Sequence, residues 1–372
     1  MDEKKGPLSW TEKKALKRKR LDAKKEKSSE KKPKEDKNGV DTEEESARLL
    51  DKEQQISSVK TDKGRHYTVS MALPGSILEN AQSRELRSYL AGQIARAAVV
   101  FNIDEIVIFD ESGAGLSLDD LENNSGNNRN KKGYGNIQLA RILQFLECPQ
   151  YLRKHFFPMH EDLKFAGLLN PLDSPHHMRI SDKVEYREGV VLEKKLKSQS
   201  CVNAGLYQKD VLVDKDLEAG LRVTVELDVN SYDKKVVNGK VVSPSTPRIK
   251  NGLYWGYNLR LANNLSSVLT QCPYKGGYDV TIGTSERGDS IDDFVLPQFR
   301  HAIIVFGGVQ GLETSLAADK TLSVEDPSLL FHHYLNTCPN QGSRTIRTEE
   351  AVLITLSSLR NQLVTNGIKY SL

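Results

Sequence analysis

Three stretches in the C-terminal third combine residue types suited to gripping a polar ligand against the backbone. They are Gly283-Thr284-Ser285-Glu286-Arg287-Gly288, Phe306-Gly307-Gly308-Val309-Gln310-Gly311-Leu312-Glu313, and the run from Asn336 to Ala351, which reads NTCPNQGSRTIRTEEA. Glycine lets the backbone approach a ligand closely and reach positive φ, and the hydroxyl, amide and guanidinium groups between the glycines supply hydrogen bonds. In an open parallel sheet, loops beyond the carboxyl ends of strands converge on the ligand. One such loop is equally a tight β-to-α turn; three together point to a binding site. None reads GxxxxGK[ST], and none opens an N-terminal βαβ unit as GxGxxG would. That argues against a nucleoside triphosphate or NAD.

Other reactive side chains are less organised. His176-His177, after Asp173-Ser174-Pro175, lacks a third ligand at metal-site spacing, so a turn is expected and no metal is assigned. His332-His333, between apolar residues, reads as half-buried helix. Tyr254, Trp255 and Tyr257, with Arg248 and Lys250 nearby, either stack on unpaired bases or pack internally. Cys148, Cys201, Cys272 and Cys338 lie far apart without a CxxC pair, which argues for reduced thiols in an intracellular compartment.

The elements that must carry these loops have an α/β texture. Tyr67–Leu73 reads as a buried strand stopped by Pro74-Gly75. Residues 83–101 have helical spacing, with Leu86, Leu90, Ile94, Ala97 and Phe101 on one face. Glu105–Asp110 is a second apolar strand, so the three form a parallel βαβ unit. Residues 111–135 are Gly/Asn-rich and read as a surface loop, followed by a helix over 136–146 and a short one in CPQYLRKHFF. Between about 180 and 255, five short β-type runs separated by turn residues predict a small oligonucleotide-binding type barrel inserted into the α/β domain. Residues 258–269 are helix or strand, 278–282 and 301–306 are strands, and 349–359 is the last helix. The chain thus divides into a tail (1–64), the first part of the α/β domain (65–179), the barrel (180–255) and the C-terminal part with the ligand site (256–372).

Charge is uneven. Residues 1–37 hold fifteen Lys/Arg against eight Asp/Glu, whereas the whole chain of 372 residues carries only +3. Such a tail cannot bury enough apolar surface to offset chain entropy and is expected to be disordered or only transiently helical. Its Lys13–Arg20 run suits a nuclear localisation signal, an RNA tether or simply a solvated face. No stretch of 18 consecutive apolar residues and no apolar signal region is present, so a soluble protein without membrane contact is expected.

Specific segments resemble a known family. HYTVSMALPGSILENAQSRELRSYLAGQIARA, CPQYLRKHFFP, FAGLLNPLDSPHHMR, GLYWGY, TIGTSERG, VFGGVQGLE and NTCPNQGSRTIRTEEAVLITL are similar to the eukaryotic putative RNA methyltransferase group of the SPOUT superfamily, from about residue 65 to 365. The resemblance implies an α/β SPOUT-type fold with a C-terminal trefoil knot, a barrel on the RNA side, a homodimer and S-adenosyl-L-methionine as methyl donor, with S-adenosyl-L-homocysteine as product. It implies that Thr284, Ser285, Arg287, Gly307, Gly308, Gly311, Asn336, Thr337, Gln341, Gly342, Arg344, Thr345 and Ala351 contact the cofactor.

GSRTIRTEEA is similar to the GxRxLRTETA motif of bacterial ribosomal-RNA uridine-N3 methyltransferases, matching at Gly342, Arg344, Ile346, Arg347, Thr348, Glu349 and Ala351, with Glu350 in place of a threonine. GQIARAA is similar to a GAILRTA segment of the ribose 2′-O-methylating branch, matching its arginine at Arg96 but placing Leu90 where that branch has asparagine. The resemblance therefore implies base methylation at uridine N3 of ribosomal RNA, with ribose 2′-O-methylation as the alternative. Arg347 and Arg96 become the cations that favour an anionic base, and Glu350 the proton acceptor. A nuclear or nucleolar location is expected. RNA-binding association with spindle or kinetochore components, with little catalysis, is the reading from another class, and protein methylation a third.

Overall fold

β1 (Thr68–Pro74) is buried along its whole length because it lies inside a sheet covered on both faces. The computed structural model describes residues 64–113, 133–196, 198–234 and 236–369. The tail expected over 1–64 and the loop expected over 111–135 therefore fall mostly outside the described residues. After β1 come α1 (Arg84–Val100), β2 (Glu105–Phe109), α2 (Tyr134–Glu147) and the single turn α3 (Arg153–Phe156). Ser83 caps α1 by accepting the Leu86 amide at 3.2 Å. Leu90, Ile94 and Ala97 of its expected apolar face are buried, but Leu86 is about half exposed, as are Tyr89 and Val100.

The chain then leaves the sheet for β3 (Tyr186–Leu196), β4 (Gln199–Leu206), β5 (Lys209–Val213), β6 (Arg222–Leu227) and β7 (Val237–Val242). These close into a barrel in the order β3-β4-β5-β7-β6, in which only β5 and β7 pair in parallel. Val191, Val202, Val211, Val225 and Val237 fill its interior. This is the inserted barrel expected of the sequence, with the strand order of an oligonucleotide-binding fold.

The helix α4 (Thr246–Asn251) leads back to the sheet, where β8 (Asn258–Ala262), α5 (Leu265–Thr270), β9 (Val280–Ser290), β10 (His301–Val305), α6 (Leu312–Ala318), β11 (His333–Asn336) and α7 (Thr348–Asn366) follow. The six-stranded sheet runs β11-β9-β10-β1-β2-β8, and every neighbouring pair is parallel. Side chains alternate between two cores. Met71, Leu73, Ile106, Ile108, Ile282 and Ile304 face α1, α2 and α7, whereas Ala72, Val107, Phe109, Ile303 and Val305 face α5 and α6.

Local expectations change in four places. The stretch 258–269 is both strand and helix, divided at Asn264, whose side chain accepts the Ser267 amide at 2.9 Å. Gly283–Gly288 is strand rather than loop, because β11 pairs along β9 with a register shift at Tyr334/Leu335. His332 precedes β11 and His333 begins it, so neither is helical. Tyr254, Trp255 and Tyr257 are buried and donate to the Ile103 carbonyl, the Glu188 carboxylate and the Leu143 carbonyl, so they pack where the barrel rejoins the sheet and do not present faces to bases. Among the described residues no helix is long and apolar enough to cross a membrane.

Candidate functional site

The carboxyl ends of β9, β10 and β11 stand side by side, and the segments leaving them enclose a cavity of about 470 Å³, within the range of small-molecule sites. β9 contributes Thr284, Ser285 and Arg287. The turn after β10 contributes Gly307, Gly308 and Gly311, the segment after β11 supplies Asn336, Thr337, Gln341, Arg344 and Thr345, and α7 closes one wall with Ala351. Twelve of the thirteen residues expected at the cofactor thus line one cavity. Gly342 is the thirteenth; it is exposed, and a side chain there would meet open space.

Short-range bonds hold these segments in place. Asn336 donates to the Glu286 carbonyl at 3.0 Å and accepts the Cys338 amide at 3.1 Å, which fixes the exit from β11 against β9. Thr284 donates to the Val305 carbonyl at 3.1 Å, joining β9 to the end of β10. Thr337 and Thr355 share a hydroxyl contact of 2.7 Å, and Gln341 donates to the Ser343 carbonyl at 2.9 Å. Arg287 pairs with Glu313 at 3.4 Å across the rim, both well exposed to water. The β10 turn needs its glycines for two reasons. A Cβ on Gly307 would lie 2.5 Å from the Gly311 carbonyl carbon, and Gly311 sits at φ +76°.

Sequence reasoning missed Thr348 and Ile354, which also line the cavity. Thr348 is buried and donates to the Gly307 carbonyl at 3.0 Å, so it ties the first turn of α7 to the glycine turn. Thr348 belongs to the GSRTIRTEEA run, whose composition signals it; Ile354 has only the signature of an ordinary apolar helix position.

The three residues expected to act in catalysis do not themselves line this cavity, although Arg347 lies between Ile346 and Thr348, which do, and Glu350 precedes Ala351. Arg96 sits half-buried on α1 and donates to the Pro171 carbonyl at 3.3 Å and to that of Leu172. Together with Tyr89, Gln93, Glu349, Glu350 and Leu353 it lines a second cleft of about 330 Å³ between α1 and α7. Glu350 accepts the Arg347 backbone amide at 2.9 Å, closing the start of α7 as a helix cap. The Arg347 side chain is exposed.

His176 is fully buried, contacts Ser174 at 2.8 Å and reaches a Glu147 carboxylate oxygen at 3.0 Å. Burial, with His176 beside it, pushes the His177 imidazole down to about 4. Among the described residues no group of three His, Cys, Asp or Glu side chains could hold a metal ion.

A parallel sheet with a glycine-edged cavity at its carboxyl edge, interrupted by a closed barrel, defines a cofactor-binding α/β protein with an inserted oligonucleotide-binding type module. The chain belongs to the family described as "Putative RNA methyltransferase", whose model matches residues 68–359. It is 56% identical over 331 residues to the 28S rRNA (uridine-N(3))-methyltransferase of Homo sapiens, covering 88% of this chain and 87% of that one. It is 52% identical to the protein of that name from Drosophila melanogaster, over 81% of this chain and 64% of the other. Among solved structures it aligns with the SpoU methyltransferase AviRb from Streptomyces viridochromogenes in complex with AdoMet, at 10% identity and TM-score 0.30, over 83% of this chain. The alignment spans 63% of that structure's length.

Proposed function

We propose that this protein transfers a methyl group from S-adenosyl-L-methionine to N3 of a uridine in large-subunit ribosomal RNA, releasing S-adenosyl-L-homocysteine. The observation that carries the reading is the cavity at the ends of β9, β10 and β11, built by three separate segments that include twelve of the thirteen residues expected at that cofactor. The fit is chemical as well as spatial: backbone amides and carbonyls, Asn336, Gln341 and Thr345 suit an amino-acid and ribose portion, and Ile346 and Ile354 offer apolar wall. The two relatives named for uridine-N3 methylation support the base as acceptor.

The sulfonium methyl is already an electrophile, so the chain's tasks are alignment and exclusion of water. Arg347 and Arg96 are the cations assigned to favour the deprotonated base; Glu350, expected as the proton acceptor, holds the Arg347 amide and is assigned instead to fixing the start of α7 beside them. The apolar stripe Leu86, Tyr89 and Val100 of α1 and Leu353 and Val364 of α7, each about half exposed, is assigned to pairing with a second copy. The cleft holding Arg96 lies in that face, which is consistent with two copies completing each site. The Lys13–Arg20 arm is assigned as a nuclear or nucleolar address or RNA tether, and spindle or kinetochore association remains a further proposal of the same resemblance.

Calorimetric titration with S-adenosyl-L-methionine, followed by mass-spectrometric mapping of nucleosides in ribosomal RNA with and without the protein, tests the reading. Loss of one N3-methyluridine supports it. Loss of a ribose methyl moves the reaction to the 2′-oxygen, and absence of binding heat at millimolar cofactor removes the enzyme reading.

A further inference from the structure

The carboxyl edge of the sheet has a second half. The cavity stands over β11, β9 and β10; the next strands are β1 and β2, and Glu111 lies two residues beyond the end of β2. Its carboxylate accepts hydrogen bonds from Ser76, which follows β1, and from Ser315 of α6 at 3.3 Å. It also fills the space above Gly308: a Cβ built on that glycine would lie 2.7 and 2.8 Å from the two carboxylate oxygens. Gly308 itself lines the cavity, so a single residue's backbone separates Glu111 from it.

Resting on the uridine-N3 reading, we propose that Glu111 is the base that takes the imide proton of the target uracil. The acceptor must meet the methyl group in line, within roughly 3–3.5 Å. The β1–β2 side of the carboxyl edge adjoins the cavity, and Glu111 is the carboxylate standing there. Of the other carboxylates near the cavity, Glu313 pairs with Arg287, Glu350 accepts the Arg347 amide, and Glu286 is exposed on the β9 rim, away from the β1–β2 side. The step balances simply. The N3–H proton passes to the Glu111 oxygen, the N3 electron pair forms the bond to the methyl carbon, and the carbon–sulfur bond breaks with its electrons going to sulfur. The sulfonium becomes a neutral thioether, and Glu111 returns its proton to water.

The surroundings suit a proton acceptor. Burial pushes the Glu111 carboxyl above the ordinary carboxylate range, Asp110 and Glu79 push in the same direction, and the Ser76 and Ser315 hydroxyls pull it back. A carboxylate whose affinity for a proton is raised by burial is a stronger base than an ordinary one while it stays ionised.

The test compares wild type, Glu111→Gln and Glu111→Asp. Calorimetry measures S-adenosyl-L-methionine affinity, electrophoretic shift measures RNA affinity, and single-turnover transfer to a ribosomal-RNA fragment is followed against pH. The proposal expects unchanged cofactor and RNA affinities for Glu111→Gln, a roughly 10²–10⁴-fold loss of rate, loss of the acid limb of the rate profile, and partial rescue in Glu111→Asp. A Gln variant within threefold of wild type overturns the proposal, and so does a rate loss matched by an equal loss of cofactor affinity, which would make Glu111 a prop for the glycine turn. In those two cases wild type still makes N3-methyluridine and the functional reading stands. A wild-type product on ribose overturns both.

Discussion

Replacing Arg222 should loosen the joint between barrel and sheet, by an amount that depends on pH. Arg222 of β6 donates to both carboxylate oxygens of Glu147, at 2.7 and 3.0 Å, and to Glu188 at 2.9 Å. Glu147 ends α2 and Glu188 lies in β3, so one guanidinium bridges the two modules. Glu188 also accepts from Thr224 and from Trp255, each at 2.5 Å. Burial pushes the Glu147 carboxyl up, but the His176 hydrogen bond and the Arg222 charge outweigh it and bring it down to about 2 from an ordinary 4.5. That difference corresponds to about 3 kcal/mol of folding stability. Because the folded value is the lower one, the contribution is present above about pH 4.5 and is lost as pH falls towards about 2.

Arg222→Met keeps the volume but leaves two buried carboxylates without their cation, a loss of roughly 3–5 kcal/mol. At ~2–4 °C per kcal/mol for a domain of this size, the melting temperature should drop on the order of 10 °C at pH 7. At pH 4 the orphaned carboxylate takes up a proton, the gap narrows, and Arg222→Met/Glu147→Gln should lose less than the single variant at pH 7. Scanning calorimetry and urea unfolding at both pH values measure this. A loss below 1 kcal/mol at pH 7, or an equal gap at both pH values, refutes the reasoning.

The remaining predictions concern the cavity, the helical face and the arm. Gly307→Ala forces backbone against Gly311 and should cost about 1–3 kcal/mol and at least tenfold in cofactor affinity; an unchanged Kd by calorimetry would contradict the close approach. On the proposed pairing through the stripe shared by α1 and α7, wild type should be a dimer by sedimentation equilibrium and Val100→Glu with Leu353→Glu a folded monomer; a dimeric double variant moves the interface elsewhere, and a monomeric wild type removes the pairing. Removing residues 1–62 deletes the Lys13–Arg20 run, so the slope of log K for RNA against log salt should shrink while cofactor affinity stays the same. An identical slope would show that the arm makes no phosphate contact.

Much of the fold was legible because its signals are local. Continuous apolar runs marked β2 and β10, and Ser83 before a 3.6-residue period marked α1. The second half of β9, Thr284–Ser290, carries no strand signature because it is polar and glycine-containing; it is extended only because β11 pairs beside it. The aromatic trio left two readings open because a tyrosine or tryptophan has the same sequence signature whether it stacks on a base or donates to a carbonyl across the core. At the site, the glycines and their polar neighbours were visible, since each segment carries its own composition. Gly342 shares their motif but not their cavity, and Thr348 joins the cavity through a bond spanning 41 positions. Glu111 had no local signature at all, because its partners Ser76, Gly308 and Ser315 come from three other elements.

The buried joint holds the barrel at the amino ends of the strands. The cavity between the two modules is lined by Thr68, Asp104 and Asn258 on the sheet side and by Glu188, Arg222 and Thr224 on the barrel side, whereas the glycine cavity opens at the opposite edge. Strands of five to seven residues set the spacing between those edges at roughly 20 Å. The sheet is therefore a ruler with a handle at one end and a working edge at the other. On the proposal that the barrel holds RNA and that two copies pair, the strand held by the handle must travel the length of the ruler, or cross to the second copy, before one of its bases reaches the working edge. Short oligonucleotides centred on the modified position would then fail as substrates even when they carry the correct sequence.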